Sequence, residues 1–144
     1  MIVLDTNVLS ELVRRDPDPA VLSWLDAQPP GDVATTAIIV AELLYGVARL
    51  PAGRRREQLA GAVAALVDED LGGRVHPFGM ECAEGYAVVV SSRERAGRPI
   101  SVLDAQIAAI CLAHEARLAT RNTRDFEHTG VELINPWRSA TQGG

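Results

Sequence analysis

The chain has 144 residues, 47% of them hydrophobic and 23% charged, with a formal net charge of −5. That is the size and composition of one ordinary globular domain with one core, and the negative charge excludes a whole-molecule basic footprint for nucleic acid. It contains no lysine, its 14 basic residues all being arginine, which rules out a P-loop lysine, a Schiff-base lysine and a lysine general base. No apolar run reaches the roughly 18 residues of a membrane helix. The short apolar start Met1 to Leu4 lacks the features of a signal peptide, so a cytoplasmic location is expected.

Met1 to Leu4 is a continuous apolar run, suited to a buried parallel strand, with Asp5 at its carboxyl end. Thr6 or Asn7 can cap a following helix whose inner face is Val8, Leu9, Leu12 and Val13. Asp16-Pro17-Asp18-Pro19 breaks it, and a short helix from Ala20 to Ala27 follows. Past the turn cluster Gln28 to Asp32, Val33 to Thr35 predicts a strand and Ala37 to Leu50 a helix. A further helix is expected from Arg54 to Leu71, closed by Gly72-Gly73. Arg74 to Phe78 reads as an edge strand because of Pro77. Helices are expected from Met80 to Ala96 and from Val102 to Glu115, the second capped by Ser101. Arg117 to Thr120 and Val131 to Ile134 are the last strands, and 139–144 reads as a frayed tail beyond a single domain over 1–138.

Strands alternate with helices throughout. This predicts an α/β fold: a mostly parallel central sheet flanked by helices on both faces. Ligands of such sheets bind beyond the carboxyl ends of the strands. Cys82 and Cys111 lie far apart with no Cys-x-x-Cys and are expected to be reduced core thiols. His76, His114 and His128 show no zinc-type spacing.

Four acids stand in apolar or turn-forming surroundings: Asp5, Glu42, Asp104 and Asp125. Each has an ordinary explanation. Asp5 can cap a helix, Glu42 can pair with an internal arginine, Ser101-x-x-Asp104 matches a capping box, and Asp125 fits an Asx-type turn after Asn122. If the fold gathers them, carboxylates a few Å apart repel one another. A magnesium or manganese ion resolves that conflict with the oxygen ligands it prefers. Such a site suits hydrolysis of a phosphodiester. No Gly-x-Ser-x-Gly elbow supports a serine nucleophile instead.

Asp5-Thr6-Asn7, Glu42 before Leu43-Leu44-Tyr45-Gly46-Val47, Asp104-Ala105-Gln106-Ile107-Ala108-Ala109, and Thr120-Arg121-Asn122-Thr123-Arg124-Asp125-Phe126 together resemble the PIN-domain nucleases. The likeness is nearest to VapC-type toxins of bacterial toxin–antitoxin pairs, in their FitB-like branch, and spans nearly the whole chain. It implies a single PIN-like domain and a Mg2+- or Mn2+-dependent endoribonuclease. Asp5, Glu42, Asp104 and Asp125 would be its catalytic set, Asp5 and Asp104 the metal ligands, and Thr6 and Asn122 supporting groups. Water would attack the RNA phosphate in line while the carboxylates hold the metal and help to deprotonate that water. The resemblance also implies a homodimer silenced by a small antitoxin protein.

Arg121 and Arg124, flanking the fourth acid, are the candidate phosphate contacts, and Arg54-Arg55-Arg56 reads as a solvated helix start. A rival reading keeps the fold but makes the protein a non-catalytic binding module in a DNA-bound regulatory complex. A haloacid-dehalogenase-type phosphatase needs an acid where the chain has Asn7, and usually a lysine.

Overall fold

The computed structural model describes residues 1–138, so the expectation for 139–144 lies outside the described residues. Strand β1 (Ile2–Leu4) is wholly buried and central. Helices α1 (Thr6–Leu12) and α2 (Pro19–Asp26) lead to β2 (Val33–Thr36). Helices α3 (Ala37–Ala48) and α4 (Arg54–Ala65) lead to β3 (Val75–His76). Helices α5 (Ala83–Arg95) and α6 (Val102–Ala113) precede β4 (Arg117–Ala119), and β5 (Leu133–Ile134) closes the sheet.

All strand pairs are parallel, in the order β3-β2-β1-β4-β5. The chain first steps outward from β1 through β2 to β3, then crosses to the other side of β1 for β4 and β5. The right-handed crossover rule, applied to this strand order, assigns α1 to α4 to one face and α5 and α6 to the other. Accordingly α1 packs on α3, α3 on α4, and α5 on α6. The reversal of direction opens a crevice between the carboxyl ends of β1 and β4, the place where such sheets bind ligands.

Local chemistry explains the element starts. Asp18 accepts the Ala20 N–H at 2.8 Å with Pro19 in the first turn of α2. The Thr36 hydroxyl accepts the Ile39 N–H at 3.1 Å and starts α3. Helix α6 buries Ala105, Ile107, Ala108, Ala109, Ile110 and Cys111, which accounts for its nearly uninterrupted apolar sequence.

The expected elements are all present, with corrections at their ends. The helical path expected from Arg54 to Leu71 relaxes into a π-turn at Leu66–Asp70, closed by Gly72 and Gly73 at φ 58° and 72°. Met80–Cys82 is a 3-10 turn before α5. The strand expected from Val131 pairs only over Leu133–Ile134. Both cysteines are free and buried, as expected. His76 and His114, remote in sequence, stack with ring centroids 4.1 Å apart. Burial and the neighbouring ring push the His76 pKa down. No helix among the described residues is long and apolar enough to cross a membrane.

Candidate active site

The crevice at the end of β1 is a small open cleft of about 280 Å³ lined by Asp5, Thr6, Asn7, Ser10, Glu42, Asp104 and Asn122. Three of the four expected acids line it. Asp5 is placed by the end of β1, Glu42 by the middle of α3, and Asp104 by the first turn of α6.

Asp5 is 5% exposed and is held on both oxygens. Oδ1 accepts the Thr6 N–H at 2.8 Å, which makes Asp5 the cap of α1. Oδ2 accepts the Thr120 hydroxyl at 2.7 Å, across the β1–β4 crevice. The capping explanation is therefore true and incomplete, because the same carboxylate is also on the cleft. Asp104 is likewise both: its N–H bonds the Ser101 hydroxyl at 3.2 Å, and its side chain lines the cleft. Among the described residues Glu42 has no arginine partner of the kind weighed above. Its Oε1 accepts the Thr6 hydroxyl at 3.5 Å.

Asp125 sits in a 3-10 turn, Thr123–Phe126, and does not line the cleft. Its N–H bonds the Asn122 carbonyl at 3.1 Å, as the turn explanation expects. Its charge nevertheless reaches the site and raises the pKa values of Asp5 and Asp104.

The electrostatics record the crowding. Burial is the main cause that raises the pKa of Asp5, against the bonds from Thr120 and Thr6. Burial followed by the charges of Asp5 and Asp104 raises that of Glu42. Burial first, then Asp5 and Asp125, raises that of Asp104, with Arg93 and Ser101 pulling the other way. The ion pairs of Asp32, Glu11 and Glu127 hold their cations elsewhere.

Does this donor set fit a divalent cation? Among the described residues no three acid, histidine or cysteine side chains are gathered into a ready-made cage. Magnesium seldom uses one: it keeps several waters and takes one or two carboxylates plus substrate phosphate. Hard oxygen donors, mutually repelling charge and a wet cleft fit that mode.

Several residues of the site had no functional part in the sequence argument. Thr120 is fully buried and is the hub: besides Asp5, its oxygen accepts from Asn7 Nδ2 at 3.2 Å and from the Asn122 N–H at 3.1 Å. Arg93 is buried on α5 and donates Nη1 to the carbonyls of Asp125 and Glu127, each at 2.9 Å, and Nε to that of Arg98. It thus fastens the loop of the fourth acid. The signal for Thr120 was a hydroxyl at the end of a strand, and for Arg93 there was none. Of the two expected phosphate contacts, Arg124 is exposed in the turn beside Asp125. Arg121 lies over the Trp137 ring instead of standing alone.

A larger cavity, about 1090 Å³, runs between α1, α3 and α4. Its floor is apolar, with Val13, Leu43, Val47 and Leu59, and arginines 14, 15 and 55 line it. Size does not make it the reactive site, since the acids are next door. Ser10 lines both cavities and joins them.

A sequence model of the PIN domain matches residues 2–132. The chain belongs to the PIN domain family. It is 44% identical over 140 residues to VapC ribonuclease Y4jK of Sinorhizobium fredii, covering 97% of this chain and 100% of the relative. It is 39% identical over 137 residues to toxin FitB of Neisseria gonorrhoeae, covering 95% and 99%. Among solved structures it resembles a chain of FitAB bound to the IR36 DNA fragment, with a TM-score of 0.87 and 38% identity over 95% of this chain and 96% of that one. The acid cleft is therefore the carboxyl-end crevice of a PIN domain.

Proposed function

We propose that this PIN domain is a divalent-metal-dependent endoribonuclease, the toxin of a toxin–antitoxin pair, acting on RNA in the cytoplasm. One observation carries the reading: acids from four distant segments are coupled around one cleft at the topological switch point. Relatives named VapC ribonuclease and toxin FitB support the substrate and the role.

Asp5 and Asp104 would hold Mg2+ or Mn2+, with Glu42 and Asp125 completing the negative field. The ion supplies charge neutralisation at the phosphate and acidifies water. The chain's own part is positional. Thr120 and the Thr6 N–H fix both Asp5 oxygens, Thr6 donates to Glu42, and Asn122 borders the cleft that would admit the phosphate. A cleft carboxylate beside the ion would be an acceptor for the proton of the attacking water. The new bond is from water oxygen to phosphorus, and the bond from phosphorus to the leaving ribose oxygen breaks.

A protein antitoxin partner is part of this reading. The relative's solved complex supports it, and the apolar groove that meets the cleft at Ser10 offers such a partner a binding surface. Exposed Leu44, Tyr45, Met80, Val88, Val102 and Leu103 provide apolar area for a homodimer. The DNA in the solved complex favours a second role within a regulatory assembly. With a net charge of −5, this chain is a poor DNA ligand by itself, so the partner would carry the DNA contact.

The test is cleavage of an RNA panel with magnesium, with manganese and with chelator. Wild type should cut only with metal, and Asp5→Asn and Asp104→Asn should be folded and inert. Undiminished cutting by either variant overturns the assignment.

A further inference from the structure

Arg93, in the last turn of α5, is 6% exposed. A buried arginine usually answers a carboxylate, yet among the described residues no ion pair includes this one. Its guanidinium turns to the main chain instead, and to two separate segments. Nε donates to the Arg98 carbonyl at 2.6 Å, and the Arg98 N–H returns a bond to the Arg93 carbonyl at 2.9 Å. These two bonds close the turn at Gly97, whose φ is 71°. Ser101 then caps α6 and brings Asp104 into its first turn. Nη1 donates to the carbonyls of Asp125 and Glu127, each at 2.9 Å. Arg98 reaches the same loop a second time, through its ion pair with Glu127 at 2.9 Å. One planar group thus holds both the segment that enters α6 and the turn of the fourth acid.

We propose that Arg93 is a positioning residue of the acid site: its fork sets Asp104 and Asp125 at a fixed separation, and with it how tightly the cleft takes its divalent ion. This role rests on the divalent-metal reading above and names a residue outside the cleft on which that site depends. Acids that repel one another move apart unless the backbone beneath them is held. Magnesium demands near-ideal geometry, so a displaced carboxylate costs affinity. A guanidinium suits the task because its donors are fixed in one plane and meet several carbonyls at once, whereas an ammonium is a point charge on a flexible stem. Charge and geometry predict opposite outcomes. As a cation felt at Asp104, Arg93 by charge alone opposes a second cation in the cleft. As a clamp it favours one.

Mn2+ binding by the RNA-free protein, followed by calorimetry, is compared in wild type, Arg93→Lys, Arg93→Met and Glu11→Ala. RNA cleavage is measured across the same Mn2+ range. Arg93→Lys keeps the charge and loses the fork, and should bind Mn2+ about tenfold more weakly. Arg93→Met should also bind more weakly, although a positive charge has gone. In both, the Mn2+ concentration for half-maximal cleavage should rise by the same factor, while the rate at saturating Mn2+ changes far less. Glu11→Ala, which loosens α1 instead, should lose stability and keep the wild-type affinity. Arg93→Lys carries the test if Arg93→Met does not fold.

Wild-type Mn2+ affinity in Arg93→Lys overturns the clamp. So does tighter binding by Arg93→Met, because the site then feels only the charge. An equal loss in Glu11→Ala overturns it too, since affinity would then follow overall stability. Wild-type protein that binds Mn2+ but cuts no RNA overturns the ribonuclease reading, and weaker binding by the Arg93 variants would still uphold the clamp. Wild-type protein that binds no Mn2+ overturns both.

Discussion

Helix α1 has a buried carboxylate at each end, and the two are resolved in opposite ways. Asp5 and Glu11 are each 5% exposed. Glu11 accepts both bonds from Arg14 Nη1 at 3.1 Å and the Asp18 N–H at 3.0 Å. Its charge is neutralised locally, and it ties α1 to the start of α2. Among the described residues Asp5 receives a hydroxyl and one backbone N–H but no cation, and charges of other acids act on it across the cleft. Burial alone therefore does not mark a reactive carboxylate. What separates the two is whether the charge is answered by the protein or left for a ligand to answer.

The largest expected effect tests that difference directly. Asp5→Asn should keep the cap on α1 yet lose metal-dependent RNA cleavage by more than the roughly 10–100-fold that removal of an outer hydrogen-bond partner costs. Glu11→Gln, assayed beside it, should cut RNA at the wild-type rate per folded molecule. Equal losses in both variants would erase the distinction.

Thr120→Val should come next, reducing cleavage by about 10–100-fold through loss of the bond that orients Asp5. Circular dichroism should show an intact fold. Full activity in this variant would mean that the Thr6 N–H is enough to hold the carboxylate.

For Glu11 the effect is on stability. Glu11→Ala orphans the Asp18 N–H and should lower unfolding free energy by about 1–3 kcal/mol in urea. The exposed Arg14 contributes little of this, since its charge is largely solvated.

The pH dependence sharpens the comparison further. The pKa values of Asp5, Glu42 and Asp104 are raised in the folded protein above their ordinary 3.8, 4.5 and 3.8. A carboxyl that holds its proton more tightly when folded contributes stability below its unfolded pKa. That contribution is lost as pH rises through the folded pKa. In chelator, then, Asp104→Asn should gain in Tm relative to wild type as pH climbs from about 4 to 7. Magnesium should narrow the gap by stabilising wild type alone. A Tm difference that stays constant with pH would show that the acids do not strain the metal-free fold.

The smallest effect is an absence of reaction. Burial pushes the Cys111 thiol up to about 12 and raises Cys82 as well, so neither should react with iodoacetamide at neutral pH in the native state. Prompt labelling would reveal opening of α6, which carries Asp104.

Much of the framework was legible from local pattern. The apolar run Ile2 to Leu4, the cap Ser101, and the breaks at Pro17 and Gly72-Gly73 act through neighbours in the chain. Such signals survive without tertiary knowledge. The four acids were conspicuous for a similar reason, being carboxylates in apolar or turn-forming settings. Glu11 was not, because at the end of a short helix it looks like a surface residue.

Convergence was different in kind. Asp5 meets Thr120 across 115 positions, and Thr6 meets Glu42 across 36. No periodicity reports such a distance, because it follows from strand order, and β4 lies beside β1 only after the crossover. Arg93 illustrates the same limit: its partners are main-chain carbonyls, which every residue possesses and no side-chain pattern can announce. Amino-acid order by itself determined which segments become strands and helices and which side chains are chemically out of place. Only the packed sheet decided which of those charges confront one another and which are quietly paired, because electrostatic energy depends on separation in space, which the parallel crossovers set.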